Sequence, residues 1–232
     1  MLWEEDEHKE YVVPEDVVDV RYRIHCKMLP TTHAWELKQQ VCEALPWFEA
    51  EAATAIHQIH GAASGNGWER PPDGELIHLS RRSQMILRVP QHRVEDALML
   101  VGTDLDIAGY PLGVGAANVK ALVPISTVFA RYVVVPDALD ENGFMSWVVE
   151  RLQERGIRIR KMLCGKSHQV TSPEGDLETR SVMLADLQKP ESIALQEQGV
   201  GPGRHLGCGV FIPHKGIRAV DDAEDKSHFT GT

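Results

Sequence analysis

The stretch VDVRYRIHCKM at residues 18–28 alternates without a break, and no other feature restricts the fold so tightly. Val18, Val20, Tyr22, Ile24, Cys26 and Met28 fall on one side of an extended chain, and Asp19, Arg21, Arg23, His25 and Lys27 on the other, because successive strand side chains point to opposite faces. The stretch therefore predicts a half-buried strand with a basic outer face. Pro30 ends it, Thr31 or Thr32 can cap a helix beyond it, and Ala34, Leu37, Val41, Ala44, Leu45 and Phe48 recur at the spacing of an amphipathic helix. Next come the run IHQIH at 56–60 and the loop GAASGNGWERPPDGE at 61–75. A strand is expected over 76–89, ended by Pro90, then a helix over about 92–101 and a strand pair within 105–114. The order is β-α-β-β-α-β.

The same order then starts again. Residues 126–135, STVFARYVVV, read as a strand, and Phe144, Trp147, Val148 and Leu152 mark a helix closed by Gly156. IRIRKML at 157–163 and RSVMLADL at 180–187 flank the turn SPEGD. Pro190 opens a helix near 191–198, Gly199 sits where a C-cap glycine belongs, and VFI at 210–212 supplies a last strand. The expected class is α+β, two tandem ferredoxin-like (RRM-like) units of residues 17–120 and 121–220 with a glycine-rich loop in the second. An acidic extension at 1–16 and an acidic tail at 221–232 lie outside them.

Charge bears on the partner. The net charge of −10 is concentrated at the ends, with −7 in residues 1–19 and −3 in residues 221–232, which leaves the interior neutral and free to carry basic patches. A polyanion is therefore not excluded. No apolar run approaches the roughly 20 residues of a membrane span, and the N-terminus MLWEEDEHKE is acidic where a secretory signal is basic, so the expected location is the cytoplasm, with no membrane partner. Cys26, Cys42, Cys164 and Cys208 form no CxxC pair and read as small buried hydrophobes.

The segment GVGPGRHLGCGVFIPHKG at 199–216 invites a phosphate-loop reading and fails it. A GxGxxG fingerprint started at Gly199 ends on Arg204, and one started at Gly201 ends on Leu206; the segment also follows a helix and precedes a strand, the reverse of the required order. GKS at 165–167 has the end of a Walker loop, but Arg160 stands where its first glycine belongs. Two readings of the glycines remain. They bring backbone N–H groups close to a polyanion, or they relieve crowding where two domains pack.

The tandem order and the segments PTTHAWEL, IHQIHGAASGNGWERP, LSRRSQMILRVP, RKMLCGKSH and GCGVFIPHKG together resemble the CRISPR-associated endoribonucleases of the Cas-six family, in particular its Myxan-type branch. The resemblance runs over about residues 17–220. It implies a cofactor-free and metal-independent cut of precursor CRISPR RNA within its repeats, in which the ribose 2′-hydroxyl attacks the adjacent phosphate and leaves a 2′,3′-cyclic phosphate and a 5′-hydroxyl. The protein would then stay on its product, with other CRISPR effector-complex subunits as further partners. The alternative is a repeat-binding subunit that does not cut.

That chemistry needs proton transfer near neutral pH, which suits histidine. His33, at the opening of the first helix, is the expected catalytic residue because several relatives place a histidine at that junction; His57 is the second. Neither His57 nor His60 has a third metal ligand spaced nearby. The expected RNA contacts are Ser64, Asn66 and Trp68 in the long loop, Arg82 on a strand face with His78 and Arg88, the basic run Arg158, Arg160, Lys161 and Lys166, and Gly201, Gly203, Arg204, His205 and Gly207 of the glycine segment.

Overall fold

The structure, a computed structural model, describes residues 11–61, 71–72, 74–136 and 139–214. The chain runs β1 (Val17–His25), β2 (Met28–Pro30), α1 (Ala34–Ala44), β3 (Ala55–His57), β4 (Leu76–His78), β5 (Gln84–Pro90), α2 (Val94–Leu98), β6 (Asp104–Ile107) and β7 (Tyr110–Ala121). It continues as β8 (Val128–Val134), α3 (Glu141–Gln153), β9 (Lys161–Val170), β10 (Leu177–Ala185), α4 (Lys189–Gln198) and β11 (Ile212–Pro213). Two antiparallel sheets result, in the orders β3-β5-β1-β7-β6 and β11-β8-β10-β9, with a small ribbon of β2 and β4.

The unbroken alternation of β1 puts it at the centre of the first sheet. Val20 pairs with Leu87 of β5 and Val119 of β7, and with Tyr22 it faces a core built from Leu37 and Val41 of α1 and from Phe48. Each such aliphatic side chain removed from water contributes about 1.5–3 kcal/mol, and the polar end of buried Tyr22 is satisfied by donating to Ala97 O at 2.7 Å. α1 stops at Ala44, short of Phe48, because Pro46 disfavours helical dihedrals at Leu45. Phe48 still reaches the core from the turn beyond the helix.

The strand expected over 76–89 is two strands. Ser83 N–H donates to Ser80 O at 3.0 Å, and Ser80 N–H to Ser83 Oγ at 3.1 Å, which closes a turn between β4 and β5 and lifts Arg82 out of the sheet. In the second half, Val128, Ala130 and Val133 of β8 pack on Phe144, Val148 and Leu152 of α3 and Leu195 of α4. Asp140 caps α3 by accepting Gly143 N–H at 2.8 Å. Gln188 and Glu191 form a capping box at the start of α4, and Gly199 ends it with φ of 65°.

The halves are joined on the outer face of the first sheet. Asp19 and Arg88, paired across β1 and β5, sit on the face that the sequence marks as exposed, yet Arg88 is 0% exposed. Its Nε and Nη2 donate to the two Asp19 oxygens at 2.8 and 3.3 Å, and its Nη1 donates to Gln196 O and Phe211 O at 2.6 and 3.1 Å. One guanidinium thus ties the first sheet to α4 and to the approach to β11. It is not the solvent-facing neighbour of Arg82 and His78 that strand alternation implies.

The glycine segment is the second seam. Gly209 N–H donates to Tyr132 O at 2.6 Å, Val200 N–H to Gly209 O at 3.2 Å, and Gln58 Nε2 to Leu206 O at 2.8 Å. At Gly207, with φ of 80°, a Cβ would lie 2.6 Å from Gln58 Cγ; at Gly209, with φ of 66°, it would strike Val200 O. Gly207 packs on Gln58 and the Ile56 carbonyl, and Gly209 on the backbone of Val200, so a side chain has neither the space nor the dihedral angle it needs. Of the two readings of the glycines, packing between the halves accounts for Gly207, while Gly209 relieves crowding within the second half.

Candidate nucleic-acid interface

Because the second half covers only one end of the outer face of β1, exposure rises along the strand: Asp19 is buried, Arg21 half-buried, Arg23 and His25 exposed. The gap that opens is a cleft of about 610 Å³ between the two sheets. Its lining includes Arg21, His57, Arg82, Lys120, Arg131 and Tyr132. Arg21, Ile86, His57 and Asn118 form one cross-strand row of the first sheet, and Lys120 stands in the next row beside Asp19. Arg82 reaches the cleft from the serine turn and Arg131 from β8. Among the described residues, four cationic side chains thus meet one carboxylate, Asp19, which Arg88 already neutralises.

His57 is packed at the floor, with Nε2 3.6 Å from Asp19 Oδ1. Burial lowers its pKa from the ordinary value more than the Asp19 carboxylate raises it, so the ring is neutral at pH 7. Burial alone would push the Asp19 carboxyl up, but the Arg88 charge, the adjacent His57 and the hydrogen bonds from Arg88 prevail and hold it well below the usual carboxylate range. Burial also lowers the pKa of Arg131, whose guanidinium lies over the Phe129 ring at 5.7 Å. His60 lines the cleft further along and packs its ring on Tyr132, with centroids 6.3 Å apart.

His33 stands elsewhere. It is 1% exposed, its Nδ1 lies 2.8 Å from Pro30 O, and its Nε2 lies 3.1 Å from Ile59 N. Since Ile59 N–H can only donate, the ring carries its proton on Nδ1 and donates to Pro30 O. Both nitrogens are engaged by backbone, and the ring is not among the residues lining the cleft. What it does is fix the exit of β3, which carries His57 into the cleft.

Arg204 and His205 are likewise turned inward rather than offered to phosphate. Arg204 Nη2 donates to Glu197 O at 2.7 Å and Nε to Thr54 O at 3.2 Å, and burial lowers its pKa to about 10. His205 Nε2 meets Thr54 Oγ1 at 2.8 Å and its ring packs on Phe48. Burial, the largest effect, lowers its pKa. With Gly201 and Gly203 they border a second hollow of about 620 Å³, where Lys38 and Arg204 face Glu51, Glu174 and Asp176. That balance is acidic and suits a polyanion poorly. Gly207 alone of the glycine set lines the cationic cleft.

In the basic run, Arg160 Nη1 pairs with Glu191 at 2.7 Å and Lys161 Nζ with Asp186 at 3.0 Å. Arg158 and Lys166 are exposed. Ser64, Asn66 and Trp68 lie outside the described residues. Sequence reasoning missed Lys120, Arg131 and Tyr132, which no local pattern links to β1. Arg21 was visible as part of the basic strand face.

Two sheets thus flank a cleft lined by Arg21, Arg82, Lys120 and Arg131. A profile of the Cas6 CRISPR family matches residues 18–216, and the chain belongs to that family. It is 30% identical over 196 residues to the CRISPR-associated endonuclease Cas6 of Myxococcus xanthus, covering 84% of this chain and 81% of that protein. A solved CRISPR-associated Cas6 protein superposes with a TM-score of 0.58 at 9% identity, over 86% of this chain and all of its own. A RAMP protein that binds different RNA substrates gives 0.61 at 12% identity, over 85% of this chain and all of its own. At these identities the solved structures attest the shared fold. No helix among the described residues is long and apolar enough to cross a membrane.

Proposed function

We propose that the chain is an endoribonuclease that cuts precursor CRISPR RNA within its repeats, with the scissile phosphate held in the cleft between the two sheets. The observation that carries this reading is the cleft itself: a neutral histidine at the floor and Arg21, Arg82 and Lys120 around it, in a chain of the Cas6 family. The two sheets are two ferredoxin-like units in tandem, residues 17–120 and 121–220. The strand orders β3-β5-β1-β7 and β11-β8-β10-β9, each interleaved with two helices, support that description.

In the reaction the 2′-hydroxyl gives its proton to His57 as its oxygen bonds to the adjacent phosphorus. The bond from phosphorus to the 5′-oxygen breaks, and that oxygen takes up a proton from water, leaving a cyclic phosphate and a 5′-hydroxyl, while protonated His57 returns its proton to solvent. His57 suits the base because burial keeps it unprotonated at neutral pH. The charge that develops on the phosphorane falls among guanidinium and ammonium groups in a partly water-excluded gap. No step calls for a metal. The proton transfer expected of His33 passes to His57, and phosphate contact passes from Arg204 and His205 to Arg21, Arg82 and Lys120.

The test is cleavage of the cognate repeat RNA in EDTA, beside the same RNA carrying a 2′-deoxy at the scissile nucleotide. Cutting in EDTA that the deoxy substitution abolishes, and that His57→Ala slows at least a hundredfold, is the expected result. Tight binding without any cutting would instead make the chain a repeat-binding subunit.

A further inference from the structure

Helices α3 and α4 cover one face of the second sheet, and its other face is partly open. Beneath the glycine segment and the start of α1 it packs Tyr132, Val134, Val170, Leu206 and Cys208. Beyond them, register places Ile212, Phe129, Met183 and Leu163 in one row across all four strands, β11, β8, β10 and β9. With neighbouring strands about 4.8 Å apart, the row spans roughly 14 Å. Its members are half-buried or exposed, Leu163 to 57%, although all four are apolar. Behind this row stand Arg131, Ser181 and Gly165, and a Cβ at Gly165 would strike Ser181 Oγ, so that position stays flat. His214 packs on the Phe129 ring with centroids 5.7 Å apart. None of these residues is acidic.

We propose that this open face is a stacking platform for a single-stranded RNA segment that continues out of the cleft. The inference rests on the reading of the cleft as an RNA site, and continuity points to the occupant: Arg131 and Ile212 belong both to the cleft lining and to the platform. A strand leaving the cleft past Arg131 meets Phe129 and Met183 next, on the two central strands of the sheet. Central-strand aromatic side chains of such four-stranded sheets stack two or three bases. Phe129 offers a ring face, and Met183 and Leu163 extend the apolar floor. Arg131 supplies a cation beside the ring, and Ser181 a hydroxyl for a base edge or ribose. Stacking tolerates any base, so the platform adds affinity for unpaired RNA without adding sequence preference.

The experiment uses the full chain and fluorescein-labelled ten-nucleotide oligomers of adenosine and of uridine, beside a blunt ten-base-pair RNA duplex, all read by fluorescence anisotropy. Phe129→Ala is expected to weaken both oligomers about 5- to 100-fold, Phe129→Tyr to restore them to within about twofold, and duplex binding to stay unchanged. Leu163→Glu, at an exposed position that folding does not require, should weaken the oligomers about 3- to 10-fold by setting a carboxylate under the strand. If Phe129→Ala and Leu163→Glu both bind the oligomers as the unmodified chain does, the proposal is overturned. It is equally overturned if Leu163→Glu leaves binding intact but converts a dimer to a monomer by light scattering, since the face would then belong to a second copy. Repeat cleavage separates this from the nuclease reading. His57→Ala slows cutting whether or not the platform exists, whereas an absent platform leaves cutting intact.

Discussion

His33→Ala distinguishes a structural histidine from a chemical one. The substitution removes the bond to Pro30 O, worth about 1 kcal/mol, and strips Ile59 N–H of its acceptor in a buried setting, which costs about 1–3 kcal/mol more. The expected loss is about 3 kcal/mol. For a chain of this size each kcal/mol lowers Tm by about 2–4 °C, so thermal unfolding followed by circular dichroism should show a drop of about 6–12 °C. His33→Asn places an amide nitrogen where Nδ1 stood, keeps the bond to Pro30 O, and should recover about 1 kcal/mol. Cleavage of the repeat, measured well below the Tm of each variant, should stay within about tenfold of the unmodified chain, since His57 and the cleft cations remain. An unchanged Tm with cleavage reduced a thousandfold would refute the argument and return His33 to the chemistry.

Two further expectations concern charge. If Arg82 and Lys120 each neutralise one phosphate, Arg82→Ala or Lys120→Ala should weaken repeat binding and lower the slope of log affinity against log salt by about 1 apiece, while Arg204→Ala leaves the slope unchanged. Stability should fall in two steps as pH drops. The unfolded chain binds a proton on His57 more readily than the folded one, so stability is lost from about pH 6.5 downward; the ionised Asp19 contributes fully above about pH 4 and loses that contribution below it. Urea midpoints measured from pH 8 to pH 3 should show both steps, and His57→Gln should shrink the first, leaving the part that His205 contributes.

Most elements were readable because each is governed by its own residues. The alternation of β1, the i, i+4 pair Leu37 and Val41, and the proline and glycine that bracket α4 all act locally, although the strand read as running to Met28 ends at His25 and Pro30 closes β2 instead. Expectation and geometry part where a distant part of the chain decides. Strand periodicity puts Asp19 and Arg88 on a solvated face, and they would be solvated if the second half did not lie on it. Arg204 and His205, cations between glycines, look like phosphate ligands until the segment folds back on Thr54. His33 lies where a catalytic histidine belongs by position in the chain, but the backbone of Ile59, 26 residues on, engages its Nε2. The turn at Ser80 and Ser83 was missed for a different reason: two serines carry a weak turn signal beside so strong a run of strand-forming residues.

The seam formed by Arg88, Gln58 and Gly207 bears on the width of the cleft. Buried side chains of the first half, Arg88 and Gln58, reach carbonyls of the second, Gln196 O, Phe211 O and Leu206 O, and at Gly207 the chain lies too close to Gln58 for a Cβ to fit. The gap consequently behaves as a fixed calliper. Substitutions on its jaws leave that gauge alone, whereas substitutions at Arg88, Gln58 or Gly207 change it. For the proposed RNA, selectivity for width is thus separable from selectivity for sequence, the first held in the seam and the second left to the exposed residues along the cleft.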